Sequence, residues 1–286
     1  MRTAASLALL AILQTPPDWS EPIEPFRIAG NLYYVGTAEL GSFLVATDAG
    51  HIVLDTPLES ETHLVIDSIR KLGLDPKGIR ILLNSQAHYD HTGSLAELKK
   101  LSGAKVMAGR RDAELLARGG RGDFAFGDRY PFPPVEVDRP LDDGDEITLG
   151  GTTLLVRLTP GHTMGTTTYV LDVTEDGKTL RVVIAGSLSV NPGVRLANPP
   201  SYEGIAEDYA RSIRILESLE PDVFLSAHGQ FYGLKEKAAL LRKGAAPNPF
   251  LDASLYRPWV ARMKEAFEKQ LEKDRVATSG GHERLR

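Results

Sequence analysis

Cysteine is absent from this chain. That excludes disulfides, thiolate metal ligands and a cysteine nucleophile together, although it leaves the compartment open, since an exported protein need not carry disulfides. Neither sign of charge dominates: 33 basic against 38 acidic residues give a net charge of -5, which offers nothing to attract nucleic acid or an anionic membrane. Aromatics are sparse at 7% of residues. What remains is ordinary for a globular protein, with 42% hydrophobic and 25% charged residues over 286 positions, enough to bury a substantial core.

The N-terminus carries its own signal. Arg2 precedes an apolar stretch over residues 4–13, and Gln14-Thr15-Pro16-Pro17 ends it. A basic start and about ten apolar residues match a secretory signal segment. The stretch is too short to span a bilayer as a helix, which needs about 20 residues. Residues 1–20 are therefore expected to be a signal peptide and the protein periplasmic or secreted, without stable membrane association. The alternative is an N-terminal helix packed on the core, because no clean A-x-A cleavage site follows.

From about residue 25 the chain alternates between strand and helix patterns. Short apolar runs at 32–35, 42–46, 52–55 and 79–83, separated by glycine-containing turns, read as strands. Between them, residues 60–72 place Leu64, Ile66, Ile69 and Leu72 at helical spacing. Ser94-Leu95-Ala96-Glu97 matches a capping box and predicts the next helix. A second series of strands is predicted at 146–149, 153–158, 168–173, 180–184 and 222–225, with helices at 205–219, 234–243 and 254–273. Two strand-rich blocks, each followed by helices, predict two packed sheets covered by helices on the outside, in one domain over residues 21–286. The polar tail 276–286 is expected to be mobile. Residues 109–134 form a long segment with Phe124, Phe126, Tyr130 and three prolines. Its aromatics either line a substrate entrance or pin the loop to the body.

The chemistry concentrates at strand exits. Directly after the run at 79–83, the segment Asn84-Ser85-Gln86-Ala87-His88-Tyr89-Asp90-His91-Thr92-Gly93 sets two imidazoles and a carboxylate within four residues. Three such donors at one strand exit suit zinc or another borderline divalent ion. Thr159-Pro160-Gly161-His162-Thr163 and Leu225-Ser226-Ala227-His228-Gly229 place two more histidines just after predicted strands, where ligand-carrying loops gather. His51, His63 and His282 lack that context and are expected to be surface or packing residues.

The order Q-A-H-Y-D-H, P-G-H-T, S-L-S, A-H-G resembles the metallo-β-lactamase superfamily, and within it the lactamase subclass B3, over about residues 25–275. The resemblance implies an α/β fold of the four-layer αββα kind, with two zinc ions in a groove at the sheet edges. Gln86, His88 and His162 would hold the first ion; Asp90, His91 and His228 would hold the second. A metal-activated hydroxide would attack a β-lactam, with Asp90 orienting it. Ser187 would hydrogen-bond a water on the metal, and Ser189 with Asn191 would bind the carboxylate of this small-molecule substrate. The alternatives are a serine-rich turn that satisfies only its own backbone, a lactonase, thioesterase or phosphodiesterase on the same fold, or a structural zinc site.

Three departures from the family pattern stand out. Gln86 replaces the usual histidine, and a neutral amide oxygen is a poorer zinc donor than imidazole. The first ion is then either loosely held or missing, with the second ion alone doing the work. Ala185-Gly186-Ser187 supplies neither the bridging aspartate of glyoxalase II nor the cysteine ligand of other lactamase subclasses. Val194 lies near the place where related enzymes carry a tyrosine.

Overall fold

A computed structural model describes residues 16–276. Seven strands form the first sheet in chain order: β1 (Phe26–Ala29), β2 (Leu32–Tyr34), β3 (Phe43–Thr47), β4 (Gly50–Leu54), β5 (Ile79–Asn84), β6 (Lys105–Gly109) and β7 (Arg139–Leu141). β1 to β4 meander antiparallel, and β4 to β7 run parallel. The parallel connections need crossovers, and the chain supplies helices for them: α1 (Thr62–Lys71), α2 (Tyr89–Thr92), α3 (Leu95–Ser102) and α4 (Ala113–Ala117).

The second sheet has the order β12-β11-β10-β9-β8, built from β8 (Glu146–Leu149), β9 (Thr152–Leu158), β10 (Thr167–Glu175), β11 (Lys178–Ala185) and β12 (Val223–Ser226). The helices α5 (Ile205–Ser218), α6 (Leu234–Arg242) and α7 (Tyr256–Val276) pack on it.

Strand alternation explains the layering. Ile52 and Leu54, Ile81 and Leu83, and Met107 point into the core shared with the second sheet. Their neighbours Val53, Leu82 and Val106 point the other way, against Val65 and Ile69 of α1 and Leu95 and Leu98 of α3. Both faces of β4, β5 and β6 are thus buried, which is why these strands read as continuous apolar runs. Each such side chain contributes about 1.5–3 kcal/mol by leaving water. A Val65→Asp change would break the α1 contact by burying an unpaired carboxylate. The result is the four-layer αββα sandwich expected from the sequence.

Some local expectations need correction. Ser94 does not close a capping box: its hydroxyl donates to Leu58 O at 3.0 Å and Pro57 O at 3.3 Å, tying α3 to the turn after β4. β1, β6 and β7 were not expected. β7 contains Pro140, which an edge strand tolerates because one side of its ladder is unpaired. The segment 109–134 is partly ordered into α4 and a tight turn at Asp123–Gly127. α7 extends through Val276, the first residue of the tail expected to be mobile; the rest of that tail, residues 277–286, lies outside the described residues, as do 1–15 of the expected signal peptide. Among the described residues, no helix is long and apolar enough to cross a membrane.

One edge of the sandwich collects the functional loops. β11 and β12 are parallel, and β9 runs in their direction because β10 is antiparallel to both β9 and β11. The C-terminal ends of these three strands therefore share an edge. Thr167 N–H donates to Ser85 O at 2.7 Å, and Tyr169 OH to Asn84 O at 2.9 Å, so the exit of β5 meets the same edge.

Candidate metal centre

Two pairs of imidazoles meet there. His88 Nδ1 lies 3.1 Å from His162 Nε2, and His91 Nε2 lies 3.2 Å from His228 Nε2. Asp90 Oδ2 completes the second group, 3.2 Å from His91 Nε2 and 3.5 Å from His228 Nε2. Two donors on one tetrahedral zinc stand about 3.3 Å apart, given bond lengths near 2.0–2.1 Å. Asp90, His91 and His228 form a converging triad, with all three donor atoms within 4.8 Å of one another.

Local structure sets these positions. β5 ends at Asn84, and Asp55, just beyond β4 at φ 57°, receives Ser85 N–H and Ser85 OH, both at 2.6 Å, fixing the start of the ligand loop. Aspartate tolerates that left-handed backbone better than most residues. His162 follows Gly161, whose φ is 137° and where a Cβ would sit 2.8 Å from the Tyr209 ring, so only glycine fits the turn. His162 Nδ1 donates to Ser189 O at 2.7 Å, which leaves Nε2 as the free acceptor facing His88. His228 lies two residues past β12, in reach of Glu39, whose carboxylate accepts Gln230 N–H at 3.1 Å and stands 3.7 Å from His228 Nδ1.

The electrostatics suit a cation. Burial and the neighbouring His88 push His162 down to about 3, and burial with His91 pushes His228 down to about 4, so both imidazoles are neutral and able to donate a lone pair at physiological pH. Burial raises the Asp90 carboxyl, but His91 and His228 outweigh it and hold the group well below the usual carboxylate range. It is therefore an acceptor, never an acid, at neutral pH. Buried Gln86 Nε2, Ser187 Oγ, Asn191 Nδ2 and His228 Nδ1 have no hydrogen-bond partner, a concentration of orphaned polar atoms that a bound ion with its waters and a polar ligand would relieve. Donor chemistry and orphaned atoms together fit zinc.

Gln86 sits differently from the other expected ligands. Its Oε1 accepts Ser187 N–H at 2.8 Å. Because that amide requires an acceptor, the oxygen faces Ser187 and the NH2 group is left orphaned. The atom suited to zinc is already engaged, though a carbonyl oxygen has a second lone pair. Among the residues expected to bind substrate, Ser187 is buried, Ser189 reaches His162 through its carbonyl, and Asn191 is half-buried. Val194 is buried in the core and brings no phenol.

Three residues with no expected role also shape the centre: Asp112, Asp123 and Glu39. Asp112 accepts Ala87 N–H, Thr163 OH and Gly165 N–H; Asp123 Oδ2 lies 3.3 Å from His88 Nε2. Nothing in one sequence marks them, since their partners lie far along the chain. The histidines without strand-exit context behave as expected: His51 is buried as a packing residue, and exposed His63 caps Ser60 O. His282 lies outside the described residues.

Comparison with known proteins agrees with this geometry. Residues 42–228 match the family model described as metallo-beta-lactamase superfamily. Native FEZ-1 metallo-beta-lactamase from Legionella gormanii superposes with a TM-score of 0.87 at 40% identity, over 90% of this chain and 98% of that one. BJP-1, a subclass B3 metallo-beta-lactamase of Bradyrhizobium japonicum, gives 0.84 and 37%, over 92% and 98%. By sequence, the hydroxyacylglutathione hydrolase of Methylococcus capsulatus is 30% identical over 62% of this chain and 66% of that protein. Several curated relatives are matched over only about half of their own length.

Proposed function

The chain belongs to the metallo-β-lactamase superfamily, and from that premise we propose that this hydrolase opens the amide bond of β-lactam antibiotics using zinc, conferring resistance on its host. The observation that carries the reading is the turn after β11. Gly186-Ser187-Leu188-Ser189 brings hydroxyls to the metal edge, with no carboxylate or thiolate that could bridge two ions. Likeness to subclass B3 lactamases over nine-tenths of the chain supports it.

Bound zinc would supply an acidified water as nucleophile and a positive charge opposite the departing nitrogen. The rest is the work of this chain. His88 and His162 hold the first position, and Asp90, His91 and His228 hold the second. Asp90 turns Oδ2 toward His91 and His228, and its other oxygen would orient the attacking water by accepting a hydrogen bond from it. Ser189 and Asn191 bind the substrate carboxylate, while Ser187 OH hydrogen-bonds water at the centre. Phe126 stands 4.8 Å from His88, and Trp19 stands 5.6 Å from His228; together they offer apolar walls to the bicyclic nucleus.

A thioesterase reading draws on the hydroxyacylglutathione hydrolase relatives. One assay separates the two: turnover of a carbapenem, a cephalosporin, an acyl-homoserine lactone and lactoylglutathione, each with and without chelator. Chelator-sensitive β-lactam turnover is expected, and thioester turnover alone would replace this reading. The proposal includes export to the periplasm or beyond, on Arg2 and the apolar residues 4–13, with cleavage ahead of Trp19, whose ring packs 5.6 Å from that of His228. Fractionation of expressing cells tests that separately.

A further inference from the structure

His88 is held from both sides. Its Nδ1 faces His162 and the first metal position, while its Nε2, on the far side of the ring, lies 3.3 Å from Asp123 Oδ2. Both side chains are only 3% exposed, and Nε2 makes no aligned hydrogen bond, so the Asp123 carboxylate acts on it as a close charge at 3.3 Å. An imidazole that donates a lone pair through Nδ1 must keep its proton on Nε2, and a carboxylate beside Nε2 fixes that tautomer and the ring's orientation.

Asp123 comes from the segment between α4 and β7, outside the ligand loops. The same carboxylate accepts Ala125 N–H and Phe126 N–H, both at 3.2 Å. Asp123 and Gly127 exchange two backbone hydrogen bonds, which closes the turn. That turn seats Phe126 against the His88 ring, and Tyr130 stacks on Tyr89 at 4.7 Å. The turn's fold and the orientation of a metal ligand thus depend on one carboxylate.

We propose that Asp123 is a positioning residue for the first metal position, and that through it the loop at residues 119–130 and the ion at His88 and His162 are thermodynamically linked. Filling the position tightens the loop, and opening the loop weakens the position by the same factor, because coupling between two equilibria is reciprocal. The linkage matters more here than with three imidazoles: Gln86 is engaged with Ser187, so two rings carry most of the binding and a nearby negative charge adds proportionately more. The inference rests on the zinc reading above but not on the choice of substrate.

The test uses the full-length protein, zinc alone and no substrate. Metal-free protein is titrated against a chromophoric chelator to obtain both zinc dissociation constants, and amide hydrogen exchange is followed across residues 119–130. In the wild type, exchange at Ala125 and Phe126 should slow about tenfold or more when the weaker position fills. Asp123→Asn can still accept an amide hydrogen bond but loses the charge. It should weaken the weaker constant by about 10- to 100-fold, leave the tighter one within twofold, and make loop exchange indifferent to zinc. Asp128→Asn removes a charge from the same loop while keeping an acceptor for Gly122 N–H and touching no ligand, and should behave as wild type. Asp123→Asn with both constants unchanged would overturn the proposal. So would wild-type loop exchange that ignores zinc, a result that stands even if the variant fails to fold. Protein that takes up no zinc would sink the metal reading as well, whereas failure on β-lactams alone would leave this linkage intact.

Discussion

Asp112 Oδ2 accepts the Ala87 amide at 3.0 Å, and its carboxylate joins the two loops that carry the candidate ligands His88 and His162. The same carboxylate takes Thr163 OH at 2.6 Å and Gly165 N–H at 2.7 Å, so the residue before His88 and the residue after His162 are fixed to one buried group. Asp112→Ala would leave two buried amides without acceptors, each costing about 1–3 kcal/mol. We expect about 3 kcal/mol lower stability of the metal-free protein in urea, and weaker zinc binding at His88 and His162. Melting unchanged to within 0.5 kcal/mol, on the scale of a neutral surface change, would show that the bracket is not needed.

Gln86 makes a sharper prediction because its one oxygen has two possible uses. Gln86→His should raise zinc content in metal-limited buffer toward two per chain, since imidazole is the stronger donor. It should also remove the acceptor of Ser187 N–H and loosen the serine turn. Metal content should therefore rise while substrate affinity falls. Elemental analysis of dialysed protein checks the first, and KM the second. Zinc content already at two in the wild type would show that the engaged oxygen still serves the metal.

The gathering of the candidate ligands was legible because each lies past a strand, and strand exits are visible locally: His88 after β5, His162 after β9, His228 after β12. The sandwich was legible for a related reason, since β4 and β5 are apolar on both faces. The residues that orient the ligands were not. Asp112 lies 25 positions from Ala87, and Glu39 lies 191 from Gln230. An aspartate that bonds a distant backbone looks, in sequence, like one that faces water. Ser94 failed in the opposite sense: its local motif was sound, but the carbonyls of Pro57 and Leu58 competed for its hydroxyl. The weak strand β7 was hidden by Pro140 and became a strand only because β6 offered a partner.

Trp19 gives the second metal position its own reporter. Its ring lies 5.6 Å from the His228 ring, and the other of the chain's two tryptophans, Trp259, is fully buried in the core. Adding zinc to metal-free protein should change the Trp19 emission in step with the tighter binding event. Trp19→Phe should abolish the change and leave zinc content the same. A signal that survives in Trp19→Phe would have to come from Trp259 and a wider rearrangement.

Ser189 divides its work between backbone and side chain, and the two parts can be separated. Its carbonyl accepts His162 Nδ1–H at 2.7 Å and Tyr209 OH at 3.0 Å, whereas its hydroxyl stands 3.3 Å from the same His162 nitrogen in a poorer position. Ser189→Ala keeps the carbonyl, so zinc content and stability should stay at wild-type levels. If the hydroxyl binds the substrate carboxylate, the loss is one hydrogen bond to a charged group, about 1.5–3 kcal/mol. That bond exists equally in the ground and transition states, so KM should rise about tenfold or more while kcat stays within about twofold. A cephalosporin whose carboxylate is esterified should show no difference between the two proteins. A fall in zinc content in Ser189→Ala would instead assign the hydroxyl to orienting His162, and an unchanged KM would remove Ser189 from the substrate site.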